Sequence, residues 1–565
     1  MKIMKRYVAM TLILVLLFIL KLNTVTDEHS DVETFRGAQL EQSVFYPLIA
    51  KNINDEGSLS LMIDDEDFSY DANELYLNEN MQVMASLEFF RDVLKTSAEC
   101  YNDSEIILER NYKEYKFFLG KTAGTAAGDE VELSYTPVKN DTGYYLPLKD
   151  ICEIFGYGYQ WSTQKATLNI TSSEETEALL PTSYDLRQKN RISEIKDQGD
   201  TQTCWAYAAF GALESGLLPE ESIALDATDL IENKPYNYTD NEGGDFAMAL
   251  SYLLSWKGPV AENSSKATKH VQEVHFYSTD DIDDIKWGVY LYGGVSTSIY
   301  ANVSSSLGTS SYYNGKTNAY CYRGSNSANH DVVIIGWDDH YEASNFNGSV
   351  PGNGAFICQN SWGSDFGEDG VFYVSYYDSN IGYQAVSYAK IENTDNYDFV
   401  HQMDLCGWTG QIGYSKSDAW AAAVYECEED SIIESAGFYA LDKNTEYQIY
   451  VVSDYKNVNS LGTRKLVASG TLDDAGYYTI PFLDEVKVEA GDSYGVILYI
   501  NTPDKDHPVA IEYKTSNMEE GSVDLTDGES YVSKNGLEWE SIEETADGNL
   551  CLKAYGNYDI TEDME

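Results

Sequence analysis

The stretch Asp197–Ser215, DQGDTQTCWAYAAFGALES, constrains the fold most. A cysteine and a tryptophan open a proline-free run of small apolar residues, the pattern of a helix whose small-residue face packs closely against another layer. Cys204 then falls in the first helical turn, where unpaired N–H groups and the macrodipole lower a thiol's pKa. Thr201 or Thr203 is expected to cap that helix. Taken alone, the stretch is explained equally well by a core cysteine at a helix start.

The chain has 565 residues, enough for two to four domains with separate cores. Its net charge of -56 repels phosphate backbones and anionic headgroups, which excludes nucleic acid and membrane-surface electrostatics as partners. At the N-terminus Lys2, Lys5 and Arg6 precede the apolar run Tyr7–Leu20. That run is short for a spanning helix and fits an export signal. No small-x-small cleavage site follows, so residues 1–25 read as a signal peptide or as an uncleaved signal anchor, the only route to a membrane. Either way the protein is expected to be secreted or cell-surface associated. Setting Cys204 aside leaves seven cysteines, an odd number, so Cys100, Cys152, Cys321, Cys358, Cys406, Cys427 and Cys551 are expected to be small buried hydrophobes.

An acidic linker (26–43) leads to a first module (44–170) with an internal echo. VMASLEFFRDVLKTSAECYNDSEIILER and YYLPLKDICEIFGYGYQWSTQKATLNI each read as a short helix followed by two strands, with Pro147 in a first turn and Gly156 as a helix stop. The pattern resembles the bacterial stalk module called copper amine oxidase N-terminal-like. No copper is implied, because the region contains no histidine. A second linker (171–179) precedes the segment 180–393. Beyond it, 397–558 carries short β-branched and aromatic runs between Gly, Asp and Asn turns, the pattern of a β-sandwich. It resembles the lectin-like domain that follows some bacterial cysteine peptidases.

A thiol nucleophile needs a base, and His330 in SANHDVVIIGWDD stands at the mouth of an apolar strand. GAFICQNSWGSDFGEDGVFYV places Asn360 at the end of the next strand, with Trp362 two residues on. The order Gln198, Cys204, His330, Asn360, with offsets of 126 and 156 residues from the cysteine, resembles the papain family of cysteine peptidases. LPTSYDLRQKNRISEIKDQG, NEGGDFAMA and GGVSTSIYA resemble further landmarks of that family. The implied fold class is multidomain α+β: a papain-like two-lobed core, a small α/β N-terminal module and a C-terminal all-β sandwich.

The resemblance implies Cys204 as nucleophile and His330 as base and then acid, resting as thiolate and imidazolium. It further implies that Asn360 orients the ring under Trp362, and that the Gln198 side chain and the Cys204 N–H form the oxyanion hole. Gly243 and Gly244 would let substrate backbone approach. No metal or organic cofactor is expected. Protein or peptide substrates follow, with cell-surface or glycan contact through the C-terminal sandwich. The chain departs from the family at Thr201 and Asn241, where a disulfide is usual, at Gln202 in place of glycine, and at Asp245, a position normally part of the specificity pocket, which Phe246 follows. No helical inhibitory propeptide is evident. Amide hydrolysis on cell-wall peptide by the same triad, or a catalytically silent surface adhesin, are the alternatives. All candidate catalytic residues fall within Leu180–Asn393, so this segment is expected to work alone. The acidic loops DDED and TPDKD lack the spacing of a calcium loop.

Overall fold

The computed structural model describes residues 59–559, apart from 69, 71, 72, 163–165, 280, 303–309, 515–517, 519–522 and 527. The expected export segment lies outside the described residues. Among those residues, no helix is long and apolar enough to cross a membrane, and no group of three metal-ligating side chains comes together.

The N-terminal module contains the expected echo. Helix Leu87–Asp92, capped by Ser86 Oγ accepting from the Phe89 N–H, is followed by strands Ser97–Tyr101 and Glu105–Arg110. Helix Leu148–Phe155 is followed by Gly158–Ser162 and Thr167–Thr171. Gly156 ends that helix at φ +87°, a left-handed turn that glycine adopts without Cβ strain. Pro147 takes the cap position one residue before the helix, with extended backbone. Strand Ser60–Ile63 pairs in parallel with Thr167–Thr171, so the two ends of the module meet.

The central segment has two parts. Helices Cys204–Leu217, Ala227–Asn233 and Phe246–Leu254 form one. The other is a sheet in which His330–Asp338 lies between Val295–Ile299 and Ala355–Gln359. Helix Cys204–Leu217 packs on that sheet through its small residues. A Cβ on Gly211 would stand 3.1 Å from the Val333 side chain, so glycine there sets how near helix and strand approach.

The central sheet does not end with the peptidase segment. Strand Lys269–Tyr277 pairs on one edge with Tyr383–Asn393 and on the other with Ala475–Val488, in the register Glu273↔Tyr478 to Phe276↔Ala475. The sheet continues through Ser431–Ala440 and Leu552–Tyr558. These strands form one face of the C-terminal sandwich, and a six-stranded sheet centred on Ser493–Asn501 forms the other. Apolar side chains from both sheets, among them Phe438, Ile449, Val496 and Leu552, fill the space between them. Cys406, Tyr439 and Tyr477 of the C-terminal segment pack instead into the peptidase core. The two segments thus share a sheet and a core, and the expected separability of Leu180–Asn393 has to be weighed against that junction. All eight cysteines are buried, and no two of them form a disulfide.

Candidate active site

Cys204 is the first residue of its helix, buried with 7% of its surface exposed. Neither threonine caps the helix: Thr203 makes no side-chain cap bond. The two hydroxyls bond each other at 2.6 Å, and Thr201 Oγ1 donates to the Gln198 carbonyl at 2.8 Å. The threonines therefore knit the turn that holds Gln198, and the helix-start N–H groups are left for the sulfur. The N–H groups of Asp331, Trp205 and Cys204 itself all face Sγ and favour the thiolate. Burial works against them, helped by the Asp331 carboxylate, and pushes the thiol up to about 12.

His330 opens its strand, as the apolar pattern predicts, and is 6% exposed. Its Nε2 donates to Asn360 Oδ1 at 2.9 Å. A carbonyl oxygen only accepts, so Nε2 carries the proton and Nδ1 is the free base. Asn360 follows strand Ala355–Gln359 directly, and its Oδ1 also accepts from the Ser361 N–H at 2.8 Å, which fixes the amide. The Trp362 indole lies over the imidazole with ring centres 4.5 Å apart and planes 26° from parallel. Burial depresses the imidazole to about 4, against the Asn360 hydrogen bond that raises it. The expected resting thiolate and imidazolium are thus each opposed singly by desolvation. Moving the proton from Sγ to the ring adds no net charge to the cleft, so the two charges arise together.

Gln198 is held at both ends of its amide. Oε1 accepts from Ser361 Oγ at 2.7 Å and Nε2 donates to the Thr201 carbonyl at 2.7 Å, which leaves one Nε2 hydrogen free. Its backbone N–H donates to the Ser361 carbonyl, tying the turn to the Asn360 loop.

The two glycines serve different ends. Gly243 has φ +84° and no atom within 4 Å of where a Cβ would stand, so it borders open space. A Cβ on Gly244 would stand 2.5 Å from Trp205 Nε1, so this glycine is required by packing on the helix rather than by an approaching chain. Asp245 caps helix Phe246–Leu254, accepting from the Ala247 and Met248 N–H groups at 3.1 and 3.3 Å. Sequence reasoning missed Asp331. It is set against the thiol by following His330, and burial in the cleft raises its carboxyl to about 7, with Asp245 adding to the rise. Its place directly after a candidate base was the available signal.

A helix-start thiol facing the N–H of the residue that follows a strand-end imidazole, with that imidazole held by a buried amide, defines the class, and comparison agrees. Residues 180–391 match the model of the papain family cysteine protease, and 400–556 match that of the lectin like domain. The segment is a papain-like cysteine protease domain followed by a lectin-like domain. Among curated relatives, a cysteine protease of Blomia tropicalis is 26% identical over 38% of this chain and 66% of its own length. Mouse (Mus musculus) cathepsin S is 26% identical over 42% of this chain and 70% of its own length. The chain thus spans about two thirds of the length of these relatives. Among solved structures, the cysteine protease and lectin-like domains of Cwp84, a surface layer associated protein of Clostridium difficile, superpose with a TM-score of 0.57. That likeness has 22% identity and covers 67% of this chain and 89% of that one. Clostridial Cwp84 after propeptide cleavage gives 0.58 at 22% identity, over 66% and 98%. These likenesses carry the shared fold through both domains.

Proposed function

We propose that this protein is a cell-surface or secreted cysteine peptidase that cleaves protein or peptide bonds through Cys204, His330 and Asn360. The observation that carries the reading is the buried Nε2–Oδ1 hydrogen bond, which leaves Nδ1 of His330 free as a base, while the N–H of the next residue, Asp331, faces the sulfur of the helix-start Cys204. Sγ attacks the scissile carbonyl carbon as its proton passes to Nδ1. The oxygen becomes an oxyanion, which takes the free hydrogen of Gln198 Nε2 and the Cys204 N–H. Collapse of this intermediate breaks the C–N bond, and His330 returns the proton to the departing amine, leaving a thioester. Water, deprotonated by His330, then attacks the thioester and releases acid and free thiol. Gly243 borders the open space through which the substrate backbone passes.

The domain reading within this proposal is a stalk-like module at 44–170, a peptidase at 180–393 and a lectin-like sandwich at 397–558 that contacts surface glycans. Two helix–strand–strand units support the stalk likeness. The surface-layer association of Cwp84 supports a cell-surface location. Incubating the protein with denatured casein and, separately, with peptidoglycan, each with and without reductant, tests the function. Reductant-dependent release of peptides from casein alone is expected. Release from peptidoglycan alone would make the protein a cell-wall amidase, and no release from either would make it an adhesin.

A further inference from the structure

Where the peptidase and lectin-like domains meet, an open groove of about 740 Å³ is lined by Phe246 and Ala247 of the peptidase and by Trp408, Gly410, Gln411 and His507 of the lectin-like domain. Its peptidase wall starts at Phe246, three residues along the chain from Gly243, the glycine that borders open space. An aromatic series links its two ends. Phe246 meets Phe276 edge to face at 5.7 Å, and Phe276 stacks on Trp408 at 6.0 Å. Phe246 and Trp408 are each only half-buried, so both keep an apolar face toward the groove.

The lectin-like wall of this groove is also a sheet edge. Strand Gly410–Ile412 is the outer strand of a small sheet and pairs with Val509–Tyr513 on one side; among the described residues its other side has no partner strand. An unpaired strand edge presents main-chain N–H and C=O groups in the spacing of an extended polypeptide, which a sugar does not match. Aromatic faces beside such an edge add pockets for alternate side chains.

We propose that this groove is a continuation of the substrate cleft, in which the polypeptide substrate lies extended past Phe246 and adds as a strand along Gly410–Ile412. The inference rests on the peptidase reading above and makes the lectin-like domain part of the substrate-binding surface. The two ring steps of 5.7 and 6.0 Å put Trp408 at most about 12 Å from Phe246. At about 3.4 Å per extended residue, the groove accepts roughly three or four residues beyond those held at Gly243. Short substrates never reach it.

The test compares the wild-type protein with Trp408→Ala and Gln411→Trp. The Gln411 side chain is exposed, so the second change plugs the groove without disturbing a core. Kinetics are read on a fluorogenic dipeptide amide and on quenched peptides lengthened stepwise on either side of the cleaved bond. In the wild type, lengthening on one side should raise kcat/KM about tenfold or more, an ordinary gain for a few added contacts. Both variants should lose that gain and keep dipeptide turnover. The proposal is overturned if the gain is absent, if it survives in Gln411→Trp, or if the variants lower short and long substrates equally. It is also overturned if the variants lose retention on an oligosaccharide array while the peptide gain persists, since the groove would then hold sugar. Should the wild type cleave nothing, the peptidase reading fails by itself. The groove is then judged by fluorescence polarisation of the longest peptide on Cys204→Ala, where adding Gln411→Trp should weaken binding about tenfold; equal binding overturns the proposal.

Discussion

Replacing Asn360 by alanine tests whether one hydrogen bond sets the chemistry of the site. The side chain does two things: its Oδ1 accepts from His330 Nε2 at 2.9 Å and from the Ser361 N–H at 2.8 Å. Asn360 is 3% exposed and Trp362 covers the ring, so water does not readily replace the lost acceptor. A buried donor left unsatisfied costs about 1–3 kcal/mol, and the ring avoids that cost by turning or by moving its proton to Nδ1. Either escape removes the free base from the thiol. The same 1–3 kcal/mol therefore sets the loss of productive rings, about 5- to 150-fold in kcat/KM. The pH profile supplies an independent sign. Burial holds His330 at about 4 although the Asn360 bond raises it, so removing that bond lets the pKa fall further. The base works only when neutral, and activity is lost as pH drops through its pKa. The acid limb of kcat/KM should accordingly lie near pH 4 in the wild type and move lower in Asn360→Ala. The assay is peptide hydrolysis from pH 3.5 to 9, with Tm measured alongside. A loss below twofold at unchanged Tm, or an acid limb that moves upward, would refute the reasoning.

Gln198→Ala should cost on the order of a hundredfold in kcat, the usual loss for one oxyanion donor, with a smaller change in KM. Gln198→Glu, which keeps the acceptor for Ser361 and removes the free hydrogen, should be at least as damaging in single-turnover acylation; a near-normal rate in that variant places the oxyanion elsewhere. Asp331→Asn should speed alkylation of Cys204 by iodoacetamide at pH 8 by about fivefold, the effect of roughly 1 kcal/mol from one nearby charge. Because the Asp331 carboxyl titrates at about 7 in the folded protein, the gain should fade below pH 6, and a gain that persists there would count against charge as its cause. A chain ending at Asn393 loses the Ala475–Val488 partner of Lys269–Tyr277 and the Tyr439 and Tyr477 side chains from the peptidase core. It should show a lower Tm and self-association in light scattering, and a monomer with wild-type Tm would show that the junction contributes little.

The parts of the site that follow local pattern were legible in the sequence. The small-residue helix starts at Cys204, the apolar strand starts at His330, and Asn360 stands just past the next strand, each where periodicity put it. Gly156 as a helix stop was readable for the same reason, since its left-handed φ is a local demand. What the sequence hid depends on contacts between distant segments. The strand pair Glu273↔Tyr478 spans more than 200 residues, and nothing in the alternation of either strand marks the other as its partner. Thr201 and Thr203 looked like helix caps because capping is the commonest use of a threonine there; a 2.6 Å bond between the two hydroxyls redirects them to the Gln198 turn. Gly244 looked like room for substrate, and only the position of the Trp205 indole shows what it is spaced for.

The most direct test of the account is whether Cys204 alone carries the chemistry. The protein is treated with a peptidyl epoxide that alkylates active-site thiols, and the intact mass and the labelled peptide are read by mass spectrometry beside casein hydrolysis. All eight cysteines are buried and burial raises the thiol of each one whose shift is resolved, so what sets Cys204 apart is the group of helix-start N–H groups that face its sulfur and favour the thiolate. One adduct per chain, on Cys204, in step with complete loss of hydrolysis, is expected, together with a folded and inactive Cys204→Ala that takes no label. Label on another cysteine, or hydrolysis by Cys204→Ala, would contradict the account.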